Sequence, residues 1–438
     1  MFCKEIAFLD ALETNANLGL DRMRNLLSRL DNPEKDFNSI LIGGTNGKGS
    51  TTKILAEILR RHGFKVGVYT SPHLVNMEER IMINNKPIPK RDFLDLLTEI
   101  EDLTRNMKEK PTLFEVLTLA AFKYFSKKKV DFAVVEVGLG GRLDATNVLE
   151  AEISIITNVE LDHRDVLGNS IMEIAKEKAE IIKPNAAFVT GEERNEILKL
   201  FRKKCLERNS KFFHYGRDFY CKNLKIMKYS LKFDYCGLSK YIRNIYFPSC
   251  GIYQTRNIPI SIAAAEIIEE KYGFTFNNAV IRDAIARISL EGRSQLITLK
   301  VEGKKSRLML DGAHNPAGMK ALAEVLNSKI IDFDKLILVL AFSEKKDIKA
   351  MLDVVLPYAD IVILTKFNSK AATSQPKDPR EVAKYIKDMS PKIEQMSIAK
   401  NPIVAVKTAI KRAKENDLIL VTGSLYLVGE VLRWIKSR

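Results

Sequence analysis

The sequence predicts an α/β protein of two domains, the first on a mainly parallel sheet with a small antiparallel subregion, the second a smaller doubly wound α/β domain. Three observations carry this. Short apolar runs alternate with helix-length amphipathic segments along most of the chain, as in successive βα units. One such run, Ile40-Leu41-Ile42 within NSILIGGTNGKGSTT (residues 38–52), enters a Gly-rich turn and then a helical run from Lys53 to Arg61, which makes the first domain P-loop-like. Finally, 438 residues exceed what one hydrophobic core usually supports.

Composition narrows the function classes. With 46% hydrophobic and 29% charged residues the chain is globular. No run approaches the roughly 18 apolar residues of a membrane span. MFCKEIAFLDALETN lacks the basic region and cleavable apolar core of a signal peptide. The five cysteines, Cys3, Cys205, Cys221, Cys236 and Cys250, are odd in number and form no C-x-x-C pair, so a reducing, cytoplasmic setting is expected. A net charge of +15 suits nucleic acid, an anionic membrane surface or small anionic substrates. Because the lysines are dispersed and often stand beside glutamates, as in Glu177-Lys178 and Glu270-Lys271, no nucleic-acid or membrane partner is expected.

Taken in order, residues 5 to 30 read as one or two short helices with Leu26, Leu27 and Leu30 on one face. The turn at 43–52 follows. Consecutive backbone N–H groups of such a loop, backed by a helix N-terminus, cradle a polyphosphate. Lys48 would neutralise phosphate oxygens, and Ser50 or Thr51 would offer a hydroxyl to Mg²⁺. The spacing departs from G-x-x-x-x-G-K-[ST], because Gly49 separates Lys48 from the first hydroxyl, and a plain Gly-rich turn is the alternative. A second strand, Lys65 to Tyr69, leads into the irregular run Thr70-Ser71-Pro72-His73-Leu74 and on to Arg80, where a parallel sheet binds ligands. Helices at about 90 to 106 and 114 to 127 precede the apolar strand from Asp131 to Gly138. That strand holds Glu136 near its end, a place from which a carboxylate commonly holds the Mg²⁺ of a nucleotide. A second Gly-rich turn, residues 138–147, contains Asp144, for which capping the turn is the bland account. Of five histidines, His73, His163 and His314 follow predicted strands, where a neutral imidazole can ligate a metal.

The helix read from Ile171 to Ile182 gives the sharpest local inference. Its buried stripe comprises Ile171, Ile174, Ala175, Ala179 and Ile182, and Lys178 falls in the middle of it, while Glu173, Glu177 and Glu180 point elsewhere. A lysine on an apolar face loses hydration, and its pKa drops. The neutral amine can add CO₂ to give a carbamate, a metal-binding anion; snorkelling to the surface is the alternative.

From about 186 to 248 a strand, a helix at 192 to 208 and short alternating segments suggest a small antiparallel meander. Helices near 255 to 271 and 277 to 289 follow, the first opening on Gln254-Thr255-Arg256-Asn257. The domain boundary is placed near 292, giving domains 1–292 and 293–438. Beyond it, strands at 295 to 301, 307 to 310, 336 to 341, 360 to 364 and 418 to 422 alternate with helices near 316 to 327, 347 to 354, 379 to 388, 402 to 414 and 425 to 436. Two strand ends stand out, Asp311-Gly312-Ala313-His314-Asn315-Pro316 and Thr422-Gly423-Ser424-Leu425-Tyr426.

These motifs together resemble the folylpolyglutamate synthase/dihydrofolate synthase family of the Mur ligase superfamily. GGTNGKGSTT, TSPHL with ERI, FEVLT from Phe114, EVGLGGRLDATN, TNVELDH, IAKEKAEIIKP, EGRSQ, DGAHNPAG and TGSLYLVGE occur in the family's order over nearly the whole length. The resemblance implies an ATP-dependent ligase that joins L-glutamate to a folate or dihydropteroate carboxylate through an acyl phosphate. It implies that Gly47, Lys48, Gly49 and Ser50 bind ATP phosphates, that Ser50 and Glu136 hold one Mg²⁺ and His163 a second, and that Lys178 is carbamylated. Asn257, Arg293 and Asp311 would contact the nucleotide, with Lys48, Lys178, Arg293 and His314 serving catalysis. Ser71, Pro72, His73, Arg80, Phe114 and Asp144 would line the pterin and folate side, and Ser424 and Tyr426 would meet the incoming glutamate. Two departures are Glu180 for the usual glycine after E-K-A, and Glu291 where proline often precedes Gly-Arg. A monomer is expected. The competing readings are a Mur-type ligase with a different carboxylate acceptor and a nucleotide-dependent ATPase without ligase activity.

Overall fold

The computed structural model describes residues 8–9, 11–12, 19–368, 374–389, 393 and 395–438. The helices read between residues 5 and 18 fall largely outside these; Leu26, Leu27 and Leu30 are buried in and after the helix Asp21–Ser28. Compactness divides the chain into one unit of residues 1–222, 234–245 and 255–288 and another of 223–233, 246–254 and 289–438.

The first unit holds an eight-stranded sheet in the order β4-β3-β2-β5-β1-β6-β7-β8. Its central strand β1 (Asn38–Gly43) is buried from Ser39 onward, as expected of a strand covered on both faces. β1 pairs in parallel with β5 (Phe132–Glu136) and β6 (Ile153–Ile156), and β5 pairs in parallel with β2 (Val66–Tyr69). β7 (Ala187–Thr190) and β8 (Lys211–His214) extend the parallel run beyond β6. The chain leaves β1 toward β2 on one side and returns from β5 to β6 on the other, so β1 lies where the winding reverses and a ligand crevice opens at the strand ends. Register does the rest. Ile42 stands opposite Glu136 and Gly43 opposite Ile156, so the loop after β1 emerges between Glu136 and Thr157.

Two short strands escape the sequence reading, β3 (Ile81–Ile83) and β4 (Lys86–Pro87), which pair antiparallel at the sheet edge. The turn joining them, Asn84-Asn85, has φ of 51° and 63°, the doubly left-handed backbone of a tight hairpin. The expected meander is present as a three-stranded sheet of β9 (Tyr220–Met227), β10 (Ser230–Cys236) and β11 (Tyr241–Phe247).

The second unit carries the sheet β12-β13-β17-β14-β15-β16. β12 (Gln295–Val301) is antiparallel to β13 (Lys304–Leu310); β13, β17 (Leu418–Thr422), β14 (Leu336–Leu340), β15 (Ile361–Leu364) and β16 (Gln395–Ile398) pair in parallel. The sequence does not announce β16: it is a four-residue edge strand, QMSI, with no fully buried residue to mark it. β13 and β17 are neighbours, with Leu310 opposite Val421, so the two strand ends singled out in the sequence emerge side by side. Asp311 N donates to Val421 O at 3.1 Å, and Gly423 N to Ala313 O at 3.1 Å. Each turn then caps a helix: Asn315 accepts from Gly318 N ahead of Pro316–Asn327, and Ser424 from Tyr426 N ahead of Leu425–Lys436.

Candidate active site

The phosphate loop is held in shape from the strand beside it. Thr157 Oγ1, fully buried, donates to Asn46 O at 2.6 Å, and the Asn158 amide both accepts from Asn46 N and donates to Asn46 O at 3.0 Å each. Thr45 N donates to Asn158 O, and the Thr45 hydroxyl is bracketed by the backbone of Glu160. Sequence reasoning misses Thr157 and Asn158 as brackets for the loop; their place at the end of the strand beside it is the available signal. The fit leaves no space at Gly44, which has φ +134°, because an added Cβ would lie 1.9 Å from Thr157 Oγ1. Overpacking and a backbone region closed to other L-residues act together there, so Gly44→Ala is expected to cost about 3 kcal/mol or more in urea unfolding.

After Gly47 (φ +87°) the helix Lys48–Arg61 begins, which directs its first N–H groups and partial positive charge at the loop. Ser50 is buried in its first turn. Lys48 folds back so that Nζ donates to Gly44 O at 3.0 Å and Thr45 O at 3.2 Å. Asn257, in the helix Gln254–Tyr272, lies against the same turn, its Oδ1 2.7 Å from where a Cβ on Gly47 would sit.

Glu136 reaches the loop from β5. It is 4% exposed, and its Oε2 accepts from Ser71 N at 3.1 Å. The same oxygen lies 3.2 Å from the place a Cβ on Gly49 would take. Gly49, the residue that spoils the usual P-loop spacing, is therefore what lets a buried carboxylate approach the loop beside Lys48 and Ser50.

Lys178 reaches the loop from the helix Ile171–Ala179. The helix that bears it ends at Ala179, three residues before the expected Ile182; Ile181 and Ile182 stay buried beyond its end, which is why the apolar pattern runs on past the helix. Of the expected stripe, Ile174, Ala175, Lys178 and Ala179 are buried within the helix, Ile182 is buried beyond its end, and Ile171 is only partly buried. The acids point elsewhere as read: Glu173 completes a capping box with Ser170, Glu177 pairs with Arg142, and Glu180 with Lys204 and Arg208. Lys178 does not snorkel. It is 4% exposed, and Nζ donates to Gly44 O at 3.0 Å, the same carbonyl that Lys48 uses. Burial, and then the charge of Lys48, bring its pKa down to about 7 against the opposing pull of Asp162 and Asp144. The unfolded chain, with a lysine near 10.4, thus holds more protons than the folded one above pH 7. In CO₂-free buffer, folding stability is expected to rise with pH between about 7 and 10, by up to about 1.4 kcal/mol per unit, relative to Lys178→Met in denaturant titrations.

The remaining candidates fall into four groups. Near the loop after β2, His73 Nδ1 accepts from Arg80 Nε at 3.0 Å, Arg80 is buried, and the Phe114 ring stands 5.8 Å from that of Tyr69. Pro72 follows Ser71 through a cis peptide bond. Asp144 is engaged by its own turn, Oδ2 accepting from Leu139 N and Oδ1 from Thr146 N and Oγ1, which is the capping role named as its alternative. His163, in left-handed backbone and largely exposed, stands 3.9 Å from the Asp162 carboxylate.

In the second unit, Asp311, Arg293, His314, Ser424 and Tyr426 gather at the ends of β13 and β17. Asp311 is buried and accepts four hydrogen bonds, from Ser294 N, Ser294 Oγ, Tyr253 OH and Ala313 N. Arg293 Nη1 lies 2.6 Å from where a Cβ on Gly312 would sit, and His314 Nδ1 is 2.8 Å from Gly312 O. Ser424 is committed to capping, and the Tyr426 ring packs 5.4 Å from that of Phe367. Tyr253 does not stand out in the sequence, although it immediately precedes the polar QTRN segment, and Ser294 enters it only as a member of EGRSQ, without a role of its own.

Comparison with known proteins shows the family. The family profile described as Mur ligase middle domain matches residues 42–265, and that described as dihydrofolate synthetase, C-terminal domain matches residues 295–434. The chain is 30% identical over 423 residues to the dihydrofolate synthase/folylpolyglutamate synthase of Bacillus subtilis, covering 95% of both chains. It is 31% identical over 428 residues to the dihydrofolate synthetase of Saccharomyces cerevisiae, covering 95% of this chain and 97% of that one. The folylpolyglutamate synthase of Mycobacterium tuberculosis, solved with ADP and AMPPCP, superposes with a TM-score of 0.88 at 29% identity and 99% coverage of both. With the phosphate loop, buried acid and buried lysine already in place, the chain belongs to the dihydrofolate synthase/folylpolyglutamate synthase family of Mur ligases, enzymes that join glutamate to folates at the expense of ATP.

Proposed function

We propose that this chain uses ATP to activate the carboxylate of dihydropteroate or a folate as an acyl phosphate, which the amino group of L-glutamate then attacks to form the amide. The acceptor carboxylate oxygen attacks the γ-phosphorus and ADP leaves; the glutamate nitrogen next adds to the acyl carbon, and phosphate leaves as the nitrogen loses a proton. The observation that carries the reading is the convergence of Lys48, Lys178 and Glu136 on one phosphate loop, two lysines on the Gly44 carbonyl and one acid at Gly49.

Lys48 and the helix N-terminus supply positive charge for the transferring phosphoryl group, a reaction in which positioning and electrostatics dominate. Gly47, Gly49 and Ser50 cradle the phosphates, and Asn257, Arg293 and Asp311 hold the rest of the nucleotide. His314 and Arg293 serve phosphoryl transfer. Ser71, Pro72, His73, Arg80 and Phe114 line the pteridine side, with Asp144 shaping the turn beside it, and Ser424 and Tyr426 receive glutamate.

The donors suit Mg²⁺, since Ser50 and Glu136 offer hard oxygens and the clearance at Gly49 lets the carboxylate approach. Among the described residues no three His, Cys, Asp or Glu side chains converge, so a second cation would draw on His163 and on a carbamate of Lys178. Bound there, Mg²⁺ neutralises phosphate charge and orders the acceptor carboxylate. A neutral Lys178 amine suits carbamylation: nitrogen bonds to the carbon of CO₂ and releases a proton. A monomer working in the cytoplasm is our reading; among the described residues no helix is long and apolar enough to cross a membrane.

The test is an acceptor panel, dihydropteroate against tetrahydrofolate, with product mass and phosphate release. One glutamate added per ATP is expected, with release dependent on both acceptor and glutamate. ATP turnover without them would overturn the ligase reading.

A further inference from the structure

Asp311 follows the last residue of β13, next to the end of β17, and is 4% exposed. Its two oxygens are not treated alike. Among the described residues Oδ2 takes three donors, Ser294 N at 2.7 Å, Ser294 Oγ at 3.0 Å and Tyr253 OH at 2.9 Å, whereas Oδ1 takes Ala313 N at 2.8 Å. A carboxylate offers about four lone-pair sites over two oxygens, so this distribution fills one oxygen and turns the other toward the loop. Ser294 and Ala313 belong to Asp311's own neighbourhood, one immediately before the strand paired with β13 and one two residues on. Tyr253 does not. It comes from 58 residues away, on a segment otherwise marked by polar groups, four residues before Asn257. Burial, and then the charge of Asp311, push its phenol well above the usual tyrosine range, so it keeps its proton and remains a donor. A phenylalanine would fill the same volume, so packing alone does not call for the hydroxyl.

We propose that Tyr253 is a positioning residue for the nucleotide: with Ser294 it occupies Oδ2 of Asp311 and thereby fixes Oδ1 as the oxygen presented to the ligand. This rests on the reading of Asp311 as a nucleotide contact. Tyr253 touches neither the reacting phosphate nor the acceptor, and its effect passes through Asp311.

The test is a double-mutant cycle on the full chain, with MgADP affinity measured by titration calorimetry. Tyr253→Phe is expected to weaken ADP about tenfold, the scale of one hydrogen bond to a buried charge. It should raise the KM for ATP in step and leave the KM for glutamate unchanged. In an Asp311→Asn background the same substitution should weaken ADP by no more than about twofold, because its target has already lost its charge. The proposal is overturned if Tyr253→Phe binds ADP like the unmodified chain, or if its effect is undiminished in the Asp311→Asn background. If Asp311→Asn alone binds ADP normally, the nucleotide role of Asp311 fails, and the proposal falls for that separate reason. Should Tyr253→Phe fold poorly, Ser294→Ala removes a second donor from the same oxygen and is run through the same cycle with the same expectations.

Discussion

Replacing Lys178 with alanine is expected to lower kcat by about 10³-fold, a loss on the scale of deleting a preorganised charged group from an active site. Among the described residues the side chain makes no ion pair and one hydrogen bond, to Gly44 O, and its charged form is held down to a pKa of about 7. Removing an ammonium that burial disfavours should therefore leave the melting temperature unchanged or higher, while ligation fails. In our reading the working form is the carbamate, so small carboxylates such as formate or acetate, added at millimolar levels, should restore part of the activity of Lys178→Ala but not raise that of the unmodified chain. Phosphate release with acceptor and glutamate measures both. Full activity in the alanine variant would rule out an essential carbamate.

Glu136→Gln separates charge from shape in the same loop. The amide keeps the volume of the acid, can accept from Ser71 N, and needs the same clearance at Gly49. What it loses is the negative charge, and with it the strongest oxygen donor proposed for Mg²⁺. A kcat lower by about 10²- to 10³-fold is expected, with half-maximal activity displaced to higher Mg²⁺ concentration. Because a buried carboxylate carries a desolvation cost, thermal stability should hold or increase slightly. Should activity fall only together with stability, Glu136 would be a structural acid and the metal assignment would fail.

The parts of this protein legible in its sequence are those set by local periodicity. Alternating apolar runs locate β1, β2, β5 and β6, and the helical spacing places Lys178 on its buried stripe without knowledge of any neighbour. Reading fails where apolar pattern and backbone part company, as at Ile181 and Ile182, which are buried beyond the helix end and not in the helix. It fails also where an element is too short or too exposed to show a period: β3, β4 and β16. For β3 and β4 a signal exists in Asn84-Asn85, a pair tolerant of left-handed backbone between short runs. The contacts of the site are less accessible. That Thr157 and Asn158 bracket Asn46, or that Tyr253 reaches Asp311, depends on strand order and register between segments about 110 and 58 residues apart. The roles assigned to individual site residues come from resemblance to a family, and the geometry says which atoms each of them meets.

The closeness of residue 49 to residue 136 has a consequence for how such chains diverge. Residue 49 lies in the first turn of the helix after β1 and residue 136 ends β5, and the two meet in one small volume, so packing couples them. A methyl group at the loop position would stand 3.2 Å from the carboxylate oxygen, so a chain that acquires one needs the acid to give by a few tenths of an ångström or to be shorter. Shortening the acid alone meets no such contact, whereas enlarging the loop residue draws on the freedom of the acid across from it. Searches built on the ordinary phosphate-loop spacing treat the extra glycine as noise, whereas it leaves room for a side chain 87 residues further along the sequence.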